Sequence, residues 1–393
     1  MVDSTHLIGK RKAALYSFLK RLKFRLQFSG WLQYIPTAIL TLGFFFMALL
    51  VHLLGHTSWA VLFVVIGSLL LAALIFDLFT VKLCLRPRER LPKRNDDLEM
   101  FDLMRARRSC RSYQTRKLTS ADYNELMEYV RIHNESPTIG QSAIRFEYVS
   151  APLTVWPVVN ATEFLVAIVP RKYNRLAVID VGRSLEKIVV DATRMGLATC
   201  WIGPGADQSS IARHLGNRFD PKEDHIICVC AVGYKSRYWP LFLRFMQLHF
   251  HRRLPLSALF FVDSNFKQPL DIEAYPFNQF RRCYEVCQWS PSSYNGQTTR
   301  CAAAMEQIDV KKGEGHADES RLARFDFYAA TGSRYYAAVA VGIWCANWEV
   351  GCETLGIHGH FAVLPAGERC AHDEEARPPL PRYDVSWVLD EKL

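Results

Sequence analysis

The chain predicts an α+β protein built as two tandem copies behind a two-helix membrane hairpin. Three observations carry that expectation. Trp31–Leu54 and Trp59–Leu85 are long apolar runs separated only by Gly55-His56-Thr57-Ser58. A helix–strand–strand–helix–strand order of patterns occupies residues 98–262 and begins again over 275–393, the mark of an internal repeat. Charge is unevenly placed as well. Residues 1–94 hold thirteen Lys or Arg against Asp3, Asp77 and Glu89, so with a whole-chain charge of +9 the remaining 299 residues sum to −1. A near-neutral globular part argues against nucleic acid as a partner, because that needs a basic stripe on the folded domain.

Residues 1–30 form a basic N-terminus in which Leu15, Phe18, Leu19, Leu22 and Leu26 recur at helical spacing. The pattern suits an interfacial amphipathic helix or part of a mitochondrial transit sequence. Over residues 31–85 each apolar run is long enough to cross a hydrocarbon core of about 30 Å, and backbone satisfaction in lipid requires helices there. Basic clusters flank both outer ends and the turn carries neither Lys nor Arg. The positive-inside rule therefore places both termini and the soluble part on the cytosolic or matrix side, with membrane lipid as a partner. The sequons at Asn134 and Asn160 are then expected to stay unglycosylated.

Residues 86–97 are charged and Pro-interrupted, a linker, with a helix start at Asp96–Met100. In the first copy Ser120–His133 reads as a helix capped by Ser120, Arg145–Ser150 and Glu163–Pro170 as strands, Leu176–Gly196 as a buried helix and Ile226–Gly233 as an apolar strand. In the second, Asn278–Ser290 is helical, Thr298–Ala304 and Ala323–Ala330 are strands, Tyr335–Leu355 is a long apolar helix and Phe361–Leu364 a strand. Tyr383, Val385, Trp387 and Leu389 alternate on a last strand. The eleven cysteines include no Cys-x-x-Cys, and no histidine pair has a carboxylate or cysteine at ligand spacing, so no metal is expected.

Three segments carry chemistry. Arg107-Arg108-Ser109-Cys110-Arg111 gathers three guanidinium groups and a hydroxyl, suited to a phosphate and a polar ring edge. The glycine-rich run Gly196-Leu197-Ala198-Thr199-Cys200-Trp201-Ile202-Gly203-Pro204-Gly205 reads as a loop letting backbone amides approach a flat ligand. Ser290-Pro291-Ser292-Ser293-Tyr294-Asn295-Gly296-Gln297 is a loop offering hydroxyls and amides. Arg252-Arg253-Leu254-Pro255-Leu256 adds two cations near the end of the first copy.

Together these segments resemble the nitroreductase family, flavoenzymes that bind FMN between two subunits. Arg107-Arg108-Ser109-x-Arg111, Gly196-Leu197-x-Thr199-Cys200-Trp201-Ile202-Gly203, Val232-Gly233-Tyr234 with Arg253-Leu254-Pro255-Leu256, and Pro291-Ser292-x-x-Asn295-x-Gln297 match its motifs. The first copy has only Ser136-Pro137-Thr138-Ile139-Gly140-Gln141 at the last of these, and the second copy lacks a clear Arg-Arg-Ser-x-Arg. The chain thus resembles the fused, single-chain branch, a pseudo-dimer. The resemblance implies a nitroreductase-like fold with one FMN per chain and no obligate homodimer. Hydride would pass from NAD(P)H to FMN and on to a nitroaromatic or quinone-like acceptor.

It implies roles for residues too. Arg107, Arg108 and Arg111 would serve the phosphate and ring edge, Ser109 would donate a hydroxyl, and Arg252 or Arg253 would be a second phosphate cation. Trp201, Ile202, Gly203 and Gly205 would lie along the ring, with Pro291, Ser292, Ser293, Asn295 and Gln297 closing the site from the other copy. No side chain is assigned as a catalytic acid. Gln297-Thr298-Thr299-Arg300 and Ala340-Val341-Gly342-Ile343 depart from the family pattern, the latter by losing a carboxylate. Those departures keep open a second expectation, a structural subunit of a membrane complex. The mitochondrial inner membrane is the favoured setting and the ER the other.

Overall fold

The computed structural model describes residues 16–18, 21–23, 25–27, 30–153, 155–203, 206–249, 252–307, 320–369 and 380–393. Leu15 and Leu19 of the amphipathic N-terminal pattern lie outside the described residues, as do Pro204 and Gly205.

Two apolar helices, α1 (Ile35–Leu53) and α2 (Thr57–Asp77, extended by a π turn Leu78–Lys82), pack side by side as a hairpin. Both are long and apolar enough to cross a membrane. They bury little: Leu42, Leu53 and Leu69 stand exposed while Gly67 lets the Phe45 ring close in. The base of the hairpin is stitched to the rest of the chain. Asn160 Nδ2 donates to Val81 O (3.2 Å), Leu241 N donates to Asp77 Oδ2 (2.6 Å), and Arg86 donates to Ser236 Oγ (2.8 Å) and Tyr113 O (3.0 Å).

The soluble part holds two sheets. After α3 (Met100–Ala106) and α4 (Ser120–Glu135) come β1 (Arg145–Ser150), β2 (Glu163–Pro170), α5 (Arg175–Arg194), β3 (Ala198–Ile202), α6 (Gln208–Leu215), β4 (Asp224–Gly233) and α7 (Leu241–His249). Then follow β5 (Phe260–Phe261), α8 (Arg281–Gln288), β6 (Thr299–Gln307), β7 (Ser320–Ala329), α9 (Tyr336–Leu355), β8 (Gly359–Ala362) and β9 (Arg382–Leu389). The first sheet has order β1-β2-β4-β3 and is antiparallel throughout. The second repeats that order as β6-β7-β9-β8, and β5 joins it parallel to β6.

Helices α5 and α9 cross against each other, and two glycines make the crossing. A Cβ on Gly342 would lie 1.9 Å from Ile179 O, and one on Gly182 would lie 2.4 Å from Val339 O. The backbones therefore touch directly, which only residues without a side chain permit. Around this contact one apolar core reaches both sheets. Trp348 of α9 sits at its centre, stacked on Phe280 (centroids 5.6 Å apart) and edge-on to Phe325 (4.7 Å).

Several elements differ from the sequence reading. Gly-rich Gly196–Gly203 is not all loop. Ala198–Ile202 pairs with β4 as strand β3, because Thr199, Trp201 and Ile202 supply β-favouring side chains between the glycines. Thr119, not Ser120, caps α4, accepting the Asp122 N–H. The predicted Asn278–Ser290 helix divides into a 3₁₀ turn, Phe277–Phe280, and α8. The Phe361–Leu364 strand begins earlier, at Gly359, where a Cβ would meet Val388 O at 2.5 Å and glycine alone lets β8 reach β9.

Candidate functional site

A cavity of about 480 Å³ lies where segments of both halves meet. Arg107 to Arg111 and β3 form one side, and the Pro291–Asn295 loop with one face of α9 forms the other. The arginine segment leaves the C-terminus of α3 and runs beside the free edge of β3. Ser109 bridges to Thr199, and the Cys110 N–H donates to Thr199 O (2.8 Å). The run of guanidinium groups is thereby fixed to a rigid strand.

The electrostatics are unusual for a protein interior. Arg107 is almost fully buried, and its Nε lies 3.4 Å from Glu186 Oε1 on α5. Glu186 Oε2 in turn accepts the Trp201 indole N–H (3.1 Å), tying helix, strand and arginine together. Burial raises the Glu186 carboxyl to about 7, against the opposing pull of Arg107 and the indole. Arg108 and Arg253 both stand over the Trp289 ring, at 5.0 Å and 5.4 Å. Burial, and then the charges of Arg107 and Arg108, lower Arg253 to about 10. Arg108 is lowered for the same reasons, burial first and then Arg107 and Arg105. Arg107 Nη1 and Arg253 Nε are buried with no hydrogen-bond partner among the described residues. Unpaired buried donors in a cationic cluster are costly, and an anion that pairs with them removes the cost.

The second-half loop is held in a demanding shape. Tyr294, Asn295 and Gln297 all adopt left-handed backbone angles, φ 53°, 53° and 47°. Asn tolerates that region, but Tyr and Gln rarely enter it, so the loop holds local strain of the kind found at ligand sites. Its side chains explain how it persists. Asn295 Oδ1 accepts from Arg253 Nη1 (2.9 Å) and Asn295 Nδ2 donates to Arg252 O (2.8 Å). Gln297 Oε1 accepts the Leu254 N–H (2.7 Å) and Gln297 Nε2 donates to Arg252 O (3.1 Å). Ser292 Oγ accepts the Gln297 N–H (2.9 Å).

The sequence-predicted residues therefore divide. Arg107, Arg108, Ser109, Arg111, Trp201, Ile202, Gly203, Arg253, Pro291, Ser292, Ser293 and Asn295 converge on the cavity. Gln297 does not line it, and both ends of its amide latch the Arg252–Leu254 segment instead. Asn295 faces the cavity but is likewise committed to holding Arg253. Of the two alternatives for a second cation, Arg253 lines the cavity, whereas Arg252 is exposed outside its lining. Trp201 and Ile202 belong to a strand. Glu186, Trp289 and Tyr336 were not anticipated: Glu186 reads as a polar helix position, Trp289 as a helix end and Tyr336 as ordinary core.

The lost carboxylate at Ala340 has a structural counterpart. Asp180 and Ala340 each lie two residues before the crossing glycines, Gly182 and Gly342. Asp180 accepts the N–H groups of Ile139 and Gly140 (2.8 Å each), drawing the first-half loop flush onto α5. There Gly140 leaves no space, because a Cβ would sit 2.5 Å from Leu176 Cβ. On α9 the corresponding position is a methyl group lining the cavity, so one loop is clamped shut and the other stands off.

The description "Putative TM nitroreductase" belongs to the family model that matches residues 99–323, more than half of the chain. Among solved structures, a putative nitroreductase from Thermotoga maritima is 14% identical, covering 78% of this chain and 100% of that one, with a TM-score of 0.44. A nitroreductase with bound FMN from Bacteroides fragilis is 19% identical over 37% of this chain and 92% of that one (TM-score 0.30). Another with bound FMN, from Desulfitobacterium hafniense, is 16% identical over 36% and 93% (TM-score 0.30). No curated protein matches. On the extent of the family match, the chain belongs to the nitroreductase family.

Proposed function

We propose that the chain is a membrane-anchored, FMN-dependent oxidoreductase that takes hydride from NAD(P)H and passes it to a quinone-like or nitroaromatic acceptor. The observation that carries this reading is the trio of a buried Arg107, a half-buried Arg253 and an exposed Arg108 at the cavity, with Glu186 facing Arg107 and two buried N–H donors that have no hydrogen-bond partner among the described residues. Such a cluster suits a phosphate monoester, whose charge restores the depressed guanidinium groups and whose oxygens accept the idle donors. Arg253 and Arg108 would hold the phosphate, and the β3 edge with Trp201, Ile202 and Gly203 would support the ring.

When bound, FMN supplies the two-electron chemistry between the nicotinamide and the acceptor. The chain's own residues orient and insulate. Glu186 keeps Arg107 and Trp201 in place, Asn295 and Gln297 fix Arg253, and Tyr336, Val339 and Ile343 of α9 present an apolar wall. The clamped Ile139–Gly140 loop supports one site per chain, assembled from both halves of an internal pseudo-dimer. The hairpin would span the membrane with its basic base on the cytosolic or matrix face.

Released flavin counted against protein tests the reading. The expected result is one FMN per chain in a monomeric full-length preparation. Two per chain would contradict the single site, and none would leave a nitroreductase-fold subunit of a membrane assembly as the better account.

A further inference from the structure

We infer that the cavity opens toward the lipid and that its acceptor is a membrane-dissolved quinone carrying an apolar tail. This rests on the flavin-site reading above and names its substrate. Part of the cavity lining is borrowed from the base of the hairpin. Lys23 and Gln27 belong to the segment before the hairpin, which is tied to the approach to α1 where the Trp31 and Leu32 N–H groups donate to Leu26 O at 3.2 Å. Met246 and Gln247 belong to α7, which contacts both α1 and α2 and whose first N–H is held by Asp77 on the last turn of α2. Trp156 completes this wall, stacked on Phe242 of α7 with centroids 6.4 Å apart.

The outer surface there is amphipathic, with exposed Arg21, Arg25 and Arg244 beside large exposed apolar side chains. Phe245 and Leu248 of α7 are 57% and 72% exposed, and Phe18 and Leu22 of the preceding segment are 60% and 40% exposed. Left in water, large apolar side chains so exposed are unfavourable. Placed at the level where the hairpin leaves the bilayer, they form an interfacial collar around the mouth.

The lining chemistry selects the occupant. Lys23 and Gln27 can donate to quinone carbonyl oxygens, while Trp156 and Met246 suit a hydrocarbon chain. Each methylene favours lipid over water roughly fourfold, so a long tail holds its owner in the bilayer. A lipid-side mouth lets the head enter while the tail stays behind; a tail-less nitroaromatic gains nothing from it. The net reaction balances. Reduced nicotinamide yields two electrons and one proton as hydride, the quinone takes these with one solvent proton, and its two C=O groups become the C–OH groups of a quinol.

Photolabelling tests this without measuring turnover. The full chain is placed in phosphatidylcholine nanodiscs, its flavin is quantified, and an azido-benzoquinone with a decyl tail is photoactivated. Label is expected on peptides containing Met246 or Trp156, displaced at least tenfold better by unlabelled decyl-benzoquinone than by tail-less benzoquinone. Phe245→Asp/Leu248→Asp, which alters only exposed positions, should lower that label at least fivefold with flavin content and melting temperature unchanged. On flavin-replete protein, label confined to the hairpin, equal displacement by the tail-less head, displacement by anionic phospholipid alone, or an unaffected double variant would overturn the lipid-side entrance. Protein that retains no flavin would bring down the underlying site first, and the entrance with it.

Discussion

Gly342→Ala lowers the melting temperature of the full chain by about 3 °C, the scale of a loss of roughly 2–3 kcal/mol in a chain of this size. Two effects compete. Alanine improves helix propensity over glycine by about 1 kcal/mol. The added methyl, however, would sit 1.9 Å from Ile179 O and 2.9 Å from the Arg183 amide nitrogen. Those are backbone atoms of α5, so no rotamer change relieves the clash, and overpacking a tight contact costs about 1–3 kcal/mol or more. The steric term wins. Because α9 also lines the cavity, moving it also lowers bound flavin. Gly43→Ala in α1, where no atom of the described residues lies within 4 Å of the new methyl, serves as the internal comparison. It is expected to leave the melting temperature unchanged or raise it, and thermal unfolding in detergent followed by circular dichroism reads both.

Arg253→Gln weakens FMN binding by about 10- to 100-fold, the equivalent of one charge-assisted hydrogen-bond site of roughly 1.5–3 kcal/mol. Its effect on the flavin-free fold is small. Losing the bonds to Asn295 Oδ1 and to the carbonyls of Trp289 and Ser290 is unfavourable. Removing a half-buried cation that Arg107 and Arg108 repel is favourable. The flavin-free variant should therefore melt within about 1 °C of the parent, on the order of 1 kcal/mol. Fluorescence titration with FMN beside a melt of the apoprotein separates the two. A large loss of fold with unchanged affinity would mean that Arg253 is only a latch for the Pro291–Gln297 loop.

Where the sequence was legible, the reason was local. The hairpin follows from length and apolarity. Arg145–Ser150 and Glu163–Pro170 emerge to the residue because apolar runs end there at turn-forming residues. Gly356 closes α9 in the left-handed conformation that a terminal glycine invites. The arginine segment was visible because three guanidinium groups in five residues need an outlet. What stayed hidden depends on contacts distant in sequence. Glu186 looks like a polar position on an amphipathic helix until Arg107 and Trp201 are brought to it. Ala340 reads as a bare loss until Asp180, at the corresponding place on α5, is seen to hold the Ile139–Gly140 loop. Asn295 and Gln297 carry the right amides for a ligand, yet the chain's own Arg252–Leu254 backbone reaches them first. Strand β3 was obscured by the glycines on either side of it.

The most direct measurement of the central proposal is an anaerobic titration of the purified, flavin-loaded chain with NADH and NADPH, followed in the visible absorption spectrum. Stoichiometric bleaching by at least one nicotinamide, reversed by a quinone, is the predicted result. A flavin that stays oxidised with both would contradict the oxidoreductase reading and leave the cofactor as a structural element of the fold.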